Sequence, residues 1–347
     1  MTVRVARGPQ GHCLVGDDQM IEVGNRFLDH LVVRGFSPAT VRAYAFDLAN
    51  FAGFLVARSL DLAAVVATDL FDYLDWQVGR PAGGAKVVAL RRRVAPATMN
   101  RRIAAVRGLF EHLVMTGVRA DNPVPAARRA SGLRGQHRGL LGHVAVRSRA
   151  GGGRLVRQPN RLPESLPAEA VAVFLADLHT HRDRAIVLAM LLGGLRAAET
   201  RSLRLADVDM GLRRVRVVGK GSKERVVPID DAFFAECAAY LRAERPAGCH
   251  TVECFVVLHG PTRGGPLTEA GLRKVFRTHR ARSGATRVRP HRLRHTYGTE
   301  LAAAGIDLLA LRELMGHASP ETTARYVHLS SDTLAAEFAA ARKAVGR

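Results

Sequence analysis

A chain of 347 residues with 47% hydrophobic residues is long enough to bury two separate cores. None of its apolar runs reaches the roughly 18 residues that a membrane span needs, and the first residues lack the apolar core of a signal peptide. The excess of Lys and Arg (52) over Asp and Glu (31) gives a net charge of +21. That charge favours a polyanionic partner, although a GC-rich genome also enriches Arg. We expect a cytoplasmic protein whose cysteines are reduced.

The first part of the chain has the periodicity of helices. Residues 1–18 show little pattern and are predicted to be a flexible lead-in. Apolar residues then recur at three- and four-residue steps over 19–34, after Ser37-Pro38, over 68–78 and over 96–116. Four such helices predict a small all-α domain at 19–125.

Basic residues gather in the second half of this domain. Eight lie between residues 79 and 110, with no acidic residue among them. A charge run is usually a solvated face, but one without compensating acids, partly on a helix, favours DNA. The candidates for DNA contact here are Arg91, Arg92, Arg93, Arg101 and Arg102.

A basic linker is predicted at 126–161. This segment holds nine arginines, no acidic residue and three consecutive glycines. Such a composition cannot build a core, so we expect the segment to stay flexible or to become ordered on DNA.

A second domain is predicted at 162–347. Its helices are expected at 167–178, 182–192, 230–245 and 268–282, with a short strand at 255–258 and an amphipathic helix at 331–347. Arg196 follows two glycines at the start of a further helix, where free backbone N–H groups attract anions. Residues 213–229 alternate like a β-hairpin, with Val215, Val217, Val226 and Ile229 as its apolar positions and Lys220 in its turn.

The segment 290–326 carries four groups suited to phosphate chemistry. His291 and Arg294 are three residues apart, so at the start of a helix they share one face and can reach the same phosphate. His317 follows a glycine just past a helix at 308–315 and is predicted to lie on a loop. Tyr326 follows on a helix that Ser319 and Pro320 open.

Together these residues resemble the tyrosine recombinases, the phage integrase family. The family pattern is His-x-x-Arg, then Gly-His, then a nucleophilic Tyr, with an Arg and a Lys upstream. Arg196 and Lys220 match the two upstream positions, and Glu199 matches the acidic residue that orients the arginine. The family's N-terminal core-binding domain is similar to a pattern made of Ser37, Thr40, Tyr44, Asp47, Leu48 and Phe51, with Asn122-Pro123 further on.

The resemblance implies a mostly α fold. An all-α, SAM-like core-binding domain precedes a mixed α/β, mainly helical catalytic domain with a small β-hairpin or sheet. Lys223 and Arg225, which flank the hairpin turn, are predicted to contact the DNA backbone.

The implied activity is site-specific DNA recombination through a 3′-phosphotyrosyl intermediate. Arg196 and Arg294 would bind the scissile phosphate, His291 and His317 would assist, Tyr326 would attack, and Lys220 would protonate the leaving 5′ oxygen. The covalent intermediate stores the bond energy, so no ATP, metal or other cofactor is expected.

The implied partners are double-stranded recombination sites and further copies of the chain, in a tetramer on DNA, with a second recombinase as an open alternative. A catalytically silent DNA-binding relative and a type IB topoisomerase-like enzyme are the rival interpretations. Whether the role is integration, excision or resolution stays open.

Overall fold

The computed structural model describes residues 3–9, 11–79, 94–125, 155–156, 165–219 and 223–317, together with positions 323, 339, 342 and 343. The chain divides into two compact units, Met1–Asn160 and Arg161–Arg347, and each is described by itself. Among the helices of the described ranges, none is both long and apolar enough to cross a membrane.

Unit 1 contains the four expected helices. They are α1 (Gln19–Val33), α2 (Pro38–Arg58), α3 (Ala67–Val78) and α4 (Pro96–Met115). Ser37 caps α2 by accepting a hydrogen bond from the backbone N–H of Thr40. The apolar stripes of α2, α3 and α4 meet in an aromatic core, where Phe51 stacks edge-on against Tyr73 and Phe110. The helical prediction for this part of the chain is confirmed.

The lead-in predicted to be flexible is instead a β-hairpin. Strand β1 (Arg4–Gly8) pairs with β2 (Gly11–Val15), and Leu14 is only 1% exposed. The side chain of Asn25 on α1 holds the backbone of Leu14 through two hydrogen bonds of 2.7 and 3.0 Å. Gly24 makes room for Leu14, since a Cβ there would lie 2.5 Å from Leu14 Cδ1. The prediction failed because five-residue strands with few apolar residues carry little periodic signal.

Unit 2 is mainly helical. Its helices are α5 (Ala168–Ala176), α6 (His181–Leu191), α7 (Ala197–Ser202), α8 (Asp231–Ala243), α9 (Glu269–Ser283), α10 (Pro290–Ala303) and α11 (Leu308–Met315). Helix α6 is the centre of the core: residues 185–191 are all buried, and the helix packs against both α8 and α10. The segment that follows α6, including Arg196, is therefore connected directly to the closely packed core of the unit.

A three-stranded antiparallel sheet lies in unit 2, in the order β3 (Val208–Asp209), β4 (Arg214–Val218), β5 (Glu224–Pro228). The hairpin of β4 and β5 is confirmed, whereas β3 was not expected. On β5 the inward positions are Arg225 and Val227, and Val226 is 53% exposed, so the predicted apolar face was wrong there. The expected strand at 255–258 is reduced to an isolated bridge between Val256 and Pro266.

The mostly α fold with a small sheet is confirmed. The turn residues 220–222, the linker at 126–161 apart from positions 155 and 156, and the expected helix at 331–347 apart from three positions lie outside the described residues.

Replacing Leu14 by Ala is expected to lower the free energy of unfolding of unit 1 by about 2–4 kcal/mol, because it leaves a cavity between the hairpin and α1. Urea unfolding followed by the fluorescence of Trp76 measures this, since Trp76 is the single tryptophan and packs on the unit 1 core. The matched control is Val15→Ala, at a neighbouring position that is 40% exposed. Equal effects of the two substitutions would contradict a structural role for the hairpin.

Candidate active site

Four of the six predicted catalytic residues lie within the described part of the chain. Arg196 is the N-cap residue of α7, His291 and Arg294 lie on the first turns of α10, and His317 follows α11. Lys220 and Tyr326 fall outside the described residues.

Helix α10 carries the His-x-x-Arg motif on its first turns. His291 is exposed and faces the ring of His295 at a centroid distance of 6.2 Å. Arg294 is 8% exposed and donates from Nη1 to the carbonyl oxygen of Gly194 and from Nη2 to that of Met315. One guanidinium group therefore connects α10 to the segment after α6 and to the end of α11.

The segment after α6 needs a glycine at position 194. Gly194 has φ = 60°, in the left-handed region, and a Cβ there would overlap the ring of Tyr297 on α10. The absence of a side chain lets this segment lie directly on α10. Arg196, two residues further on, is the N-cap residue of α7, so α7 begins close to α10.

The carboxylate of Glu199 is the centre of the site. It accepts hydrogen bonds from Arg196 at Nη1 (2.6 Å) and at the backbone N–H (2.8 Å). It also accepts two from Arg225, at 3.0 and 2.8 Å, in the bidentate arrangement typical of arginine. Burial alone would raise the pKa of Glu199, but the hydrogen bonds from Arg225 and Arg196 lower it to about 2. Glu199 is therefore a carboxylate at neutral pH, and it orients Arg196 as expected.

The C-terminal end of α11 is held by three arginines from three other elements. Arg225 Nε donates to the carbonyl of Leu314 (2.9 Å), Arg294 to that of Met315, and Arg196 Nη2 to that of Gly316 (2.8 Å). The last carbonyls of a helix lack partners within the helix and carry partial negative charge. Three guanidinium groups thus converge on consecutive carbonyls immediately before His317.

His317 is held by the helix end that precedes it and by a contact of its imidazole ring with Thr323. Gly316 ends α11 with φ = 58°, and a Cβ at that position would lie 2.8 Å from Arg225 Nη1. The imidazole Nδ1 lies 2.9 Å from the hydroxyl of Thr323, which is fully buried. Burial, followed by the positive charges of Arg294 and Arg196, lowers the pKa of His317 to about 4. The imidazole is consequently neutral at pH 7.

Arg225, a predicted DNA contact, has an internal role in the structure. Its side chain is 6% exposed, and Nε, Nη1 and Nη2 all donate to acceptors within the protein. Lys223, the other residue predicted to contact DNA beside the turn, is exposed. The alternation of side chains along the strand could have shown that Arg225 points inward. Arg225 is two residues from the buried Val227, so both lie on the same face of the strand.

The DNA-contact candidates of unit 1 lie on α4 or outside the described residues, where Arg91, Arg92 and Arg93 fall. The side chain of Arg101 is 45% exposed, with Nη1 2.7 Å from Oδ2 of the buried Asp47. Arg102 is 20% exposed and donates from Nη1 to Gln77 at 3.0 Å. Because both are anchored by polar side chains of neighbouring helices, their guanidinium groups are held in place at the surface of α4.

Thr323 and the internal role of Arg225 were missed by sequence reasoning. Thr323 lies six residues after His317, and nothing in the periodicity marks its hydroxyl as the partner of the imidazole. No local pattern in the sequence indicates this contact.

Comparison with known proteins identifies both halves of the chain. Residues 164–332 match the model of the phage integrase family, and residues 25–117 match the phage integrase N-terminal SAM-like domain. A relative named tyrosine recombinase XerC from Myxococcus xanthus is 31% identical over 310 residues, which cover 87% of this chain and 90% of the relative.

Two solved structures show the same fold. The Tn1549 transposon integrase in complex with transposon right end DNA has a TM-score of 0.65 at 16% identity, covering 92% of this chain and 99% of that one. The XerH site-specific recombinase bound to a palindromic difH substrate has a TM-score of 0.61 at 21% identity, covering 88% and 80%. The chain therefore belongs to the phage integrase family and is a tyrosine recombinase, a site-specific enzyme that cleaves and rejoins DNA strands.

Proposed function

We propose that Arg196, Lys220, His291, Arg294, His317 and Tyr326 form the catalytic set of this recombinase. The observation that supports it is the convergence of Arg196 and Arg294 on the end of α11, immediately before His317, with Glu199 bound to Arg196. These residues are separated by up to 121 positions in the sequence and come from different elements. A cluster of donors built in this way suits the binding of a single phosphate.

The charge of the cluster favours an anion. Arg196, Arg225 and Arg294 carry three positive charges, and the ionised Glu199 offsets one of them. The side chain of Arg196 is 37% exposed, and the two side-chain contacts described engage only two of the five N–H groups of its guanidinium. Arg196 can therefore offer further donors to the non-bridging oxygens of a phosphodiester.

His317 is suited to donate a hydrogen bond rather than a positive charge. If the hydroxyl of Thr323 donates to Nδ1, the neutral ring carries its proton on Nε2. That N–H would then bind a phosphate oxygen without requiring low pH.

Cleavage in this scheme forms one bond and breaks one. The phenolic oxygen of Tyr326 attacks phosphorus, the bond from phosphorus to the 5′ oxygen breaks, and Lys220 gives that oxygen a proton. His291, exposed at the start of α10, is the group proposed to take the phenol proton. Attack by the 5′ hydroxyl of another strand reverses the step and completes strand exchange, so neither ATP nor a metal is required.

The domains have distinct proposed roles. Residues 19–125 bind DNA through α4, 126–161 form a basic linker, and 162–347 hold the chemistry and a C-terminal helix. Because strand exchange joins two duplexes, each cut on both strands, the chain would act as a tetramer on DNA in the cytoplasm, either alone or with a second recombinase. The relatives described above as bound to DNA support duplex DNA as the partner.

On a nicked suicide duplex, wild-type protein is expected to form a covalent protein–DNA species, and Tyr326→Phe to form none, because only the phenolate can attack. Arg196→Ala and Arg294→Ala are each expected to slow its formation by about 10²–10³-fold. Denaturing electrophoresis of labelled DNA measures the species. Tyr44→Phe, in unit 1, is the matched control and should react like the wild type.

An adduct that persists in Tyr326→Phe would contradict the assignment of the nucleophile. Relaxation of supercoiled DNA that does not depend on paired sites would favour the topoisomerase-like alternative, and DNA binding without any adduct would favour the silent relative.

The imidazole of His317 is expected to titrate with a midpoint near 4, below the ordinary value of 6.5, because it is buried beside Arg294 and Arg196. The unfolded chain then binds more protons than the folded chain between these pH values. The stability that His317 contributes is therefore present above pH 6.5 and is lost as the pH falls towards 4.

NMR of histidine-labelled protein measures the midpoint, with His317→Gln used to assign the signal. A midpoint at or above 6.5 would contradict the environment described for this side chain.

A further inference from the structure

We infer that Arg225 is a positioning residue of the recombinase: it neutralises Glu199, so that the charge of Arg196 remains available for the scissile phosphate. The inference rests on the proposed function of Arg196 as a phosphate ligand. Arg225 itself is too deeply buried to be a phosphate ligand, since its side chain is only 6% exposed.

Arg225 and Arg196 bind the same carboxylate in different ways. Arg225 Nη1 and Nη2 bind both oxygens of Glu199, at 3.0 and 2.8 Å, and the side chain of Arg196 binds one of them, at 2.6 Å. The bidentate partner of the carboxylate is therefore the buried arginine. The more exposed arginine, Arg196, uses Nη1 for Glu199 and Nη2 for the carbonyl of Gly316, and its side chain is 37% exposed.

Removing Arg225 would lower the net positive charge beside the proposed phosphate site. With Arg225 present, Glu199, Arg196 and Arg225 together carry a net charge of +1. Without it, the charges of Glu199 and Arg196 sum to zero. Arg196 is then the remaining counter-ion of the buried Glu199, which is 4% exposed, within the part of the chain that the structure describes. A buried carboxylate with a single partner binds that partner more tightly, so Arg196 would be drawn away from the phosphate.

Arg225 also reaches the loop that carries His317. Its Nε donates to the carbonyl of Leu314 at 2.9 Å, and its guanidinium fills the space that the missing side chain of Gly316 leaves. A lysine could supply the charge of Arg225 but not its three directed donors. The two contributions, charge and geometry, can therefore be separated by substitution.

The test is the single-turnover rate of covalent adduct formation on a nicked duplex that the wild-type protein selects from a library with a randomised core. Arg225→Gln is expected to slow the reaction by about 10²-fold, as removal of a direct charge donor does. Adding Glu199→Gln removes the carboxylate that captures Arg196. The double variant is therefore expected to react about 10-fold faster than Arg225→Gln alone.

Arg225→Lys keeps the charge and is expected to react faster than Arg225→Gln, whereas a role in packing alone would make the two equally slow. Arg182→Gln is the matched control. Arg182 is an arginine of similar burial in the same unit, bonded to Asp183 and to the carbonyl of Val256. Its substitution should lower the melting temperature without slowing the reaction of the folded protein.

A double variant no faster than Arg225→Gln, or an Arg225→Gln protein that reacts like the wild type, would overturn the inference. Should Arg225→Gln fail to fold, the rates of Arg225→Lys and of the double variant are compared with wild type instead. Rates more than about 10²-fold below wild type in both would overturn the inference. An absence of adduct with the wild-type protein would instead refute the proposed function.

Discussion

The buried carboxylate of Glu199 is the constraint on which the geometry of the site depends. It binds Arg196 at the start of α7 and Arg225 on β5, and through these arginines it is connected to the carbonyls of Leu314 and Gly316. Three elements that are distant in sequence are thereby held at one point. A buried ion needs partners of this quality, because an unpaired charge in the interior costs several kcal/mol.

The arginines of the site lie close together, and positive charges at such distances repel one another. The carbonyls at the end of α11 and the carboxylate of Glu199 offset that repulsion. His317, next along the chain, stays neutral, since its pKa is lowered to about 4 by burial and by these same arginines. A neutral donor beside fixed cations is an arrangement that requires little rearrangement when an anion binds.

The sequence was sufficient for the helices, because helices depend on local spacing, as the apolar stripe of α2 shows. It also placed His291 and Arg294 together on the first turns of α10, while their catalytic role stays a prediction. It was insufficient where a contact joins distant segments. The β1–β2 hairpin depends on Asn25 and Gly24 of α1, and the role of Arg225 depends on Glu199, 26 residues earlier. A basic residue beside a turn was interpreted by its charge alone, although its phase with Val227 placed it in the interior.

The most direct measurement is a structure of Tyr326→Phe protein bound to an intact recombination site. The account predicts that Arg196, Arg294 and His317 all hydrogen-bond to oxygens of one phosphate, that the ring of residue 326 faces its phosphorus, and that Arg225 stays on Glu199. Contacts from these side chains to different phosphates, or a DNA backbone that passes elsewhere, would contradict it.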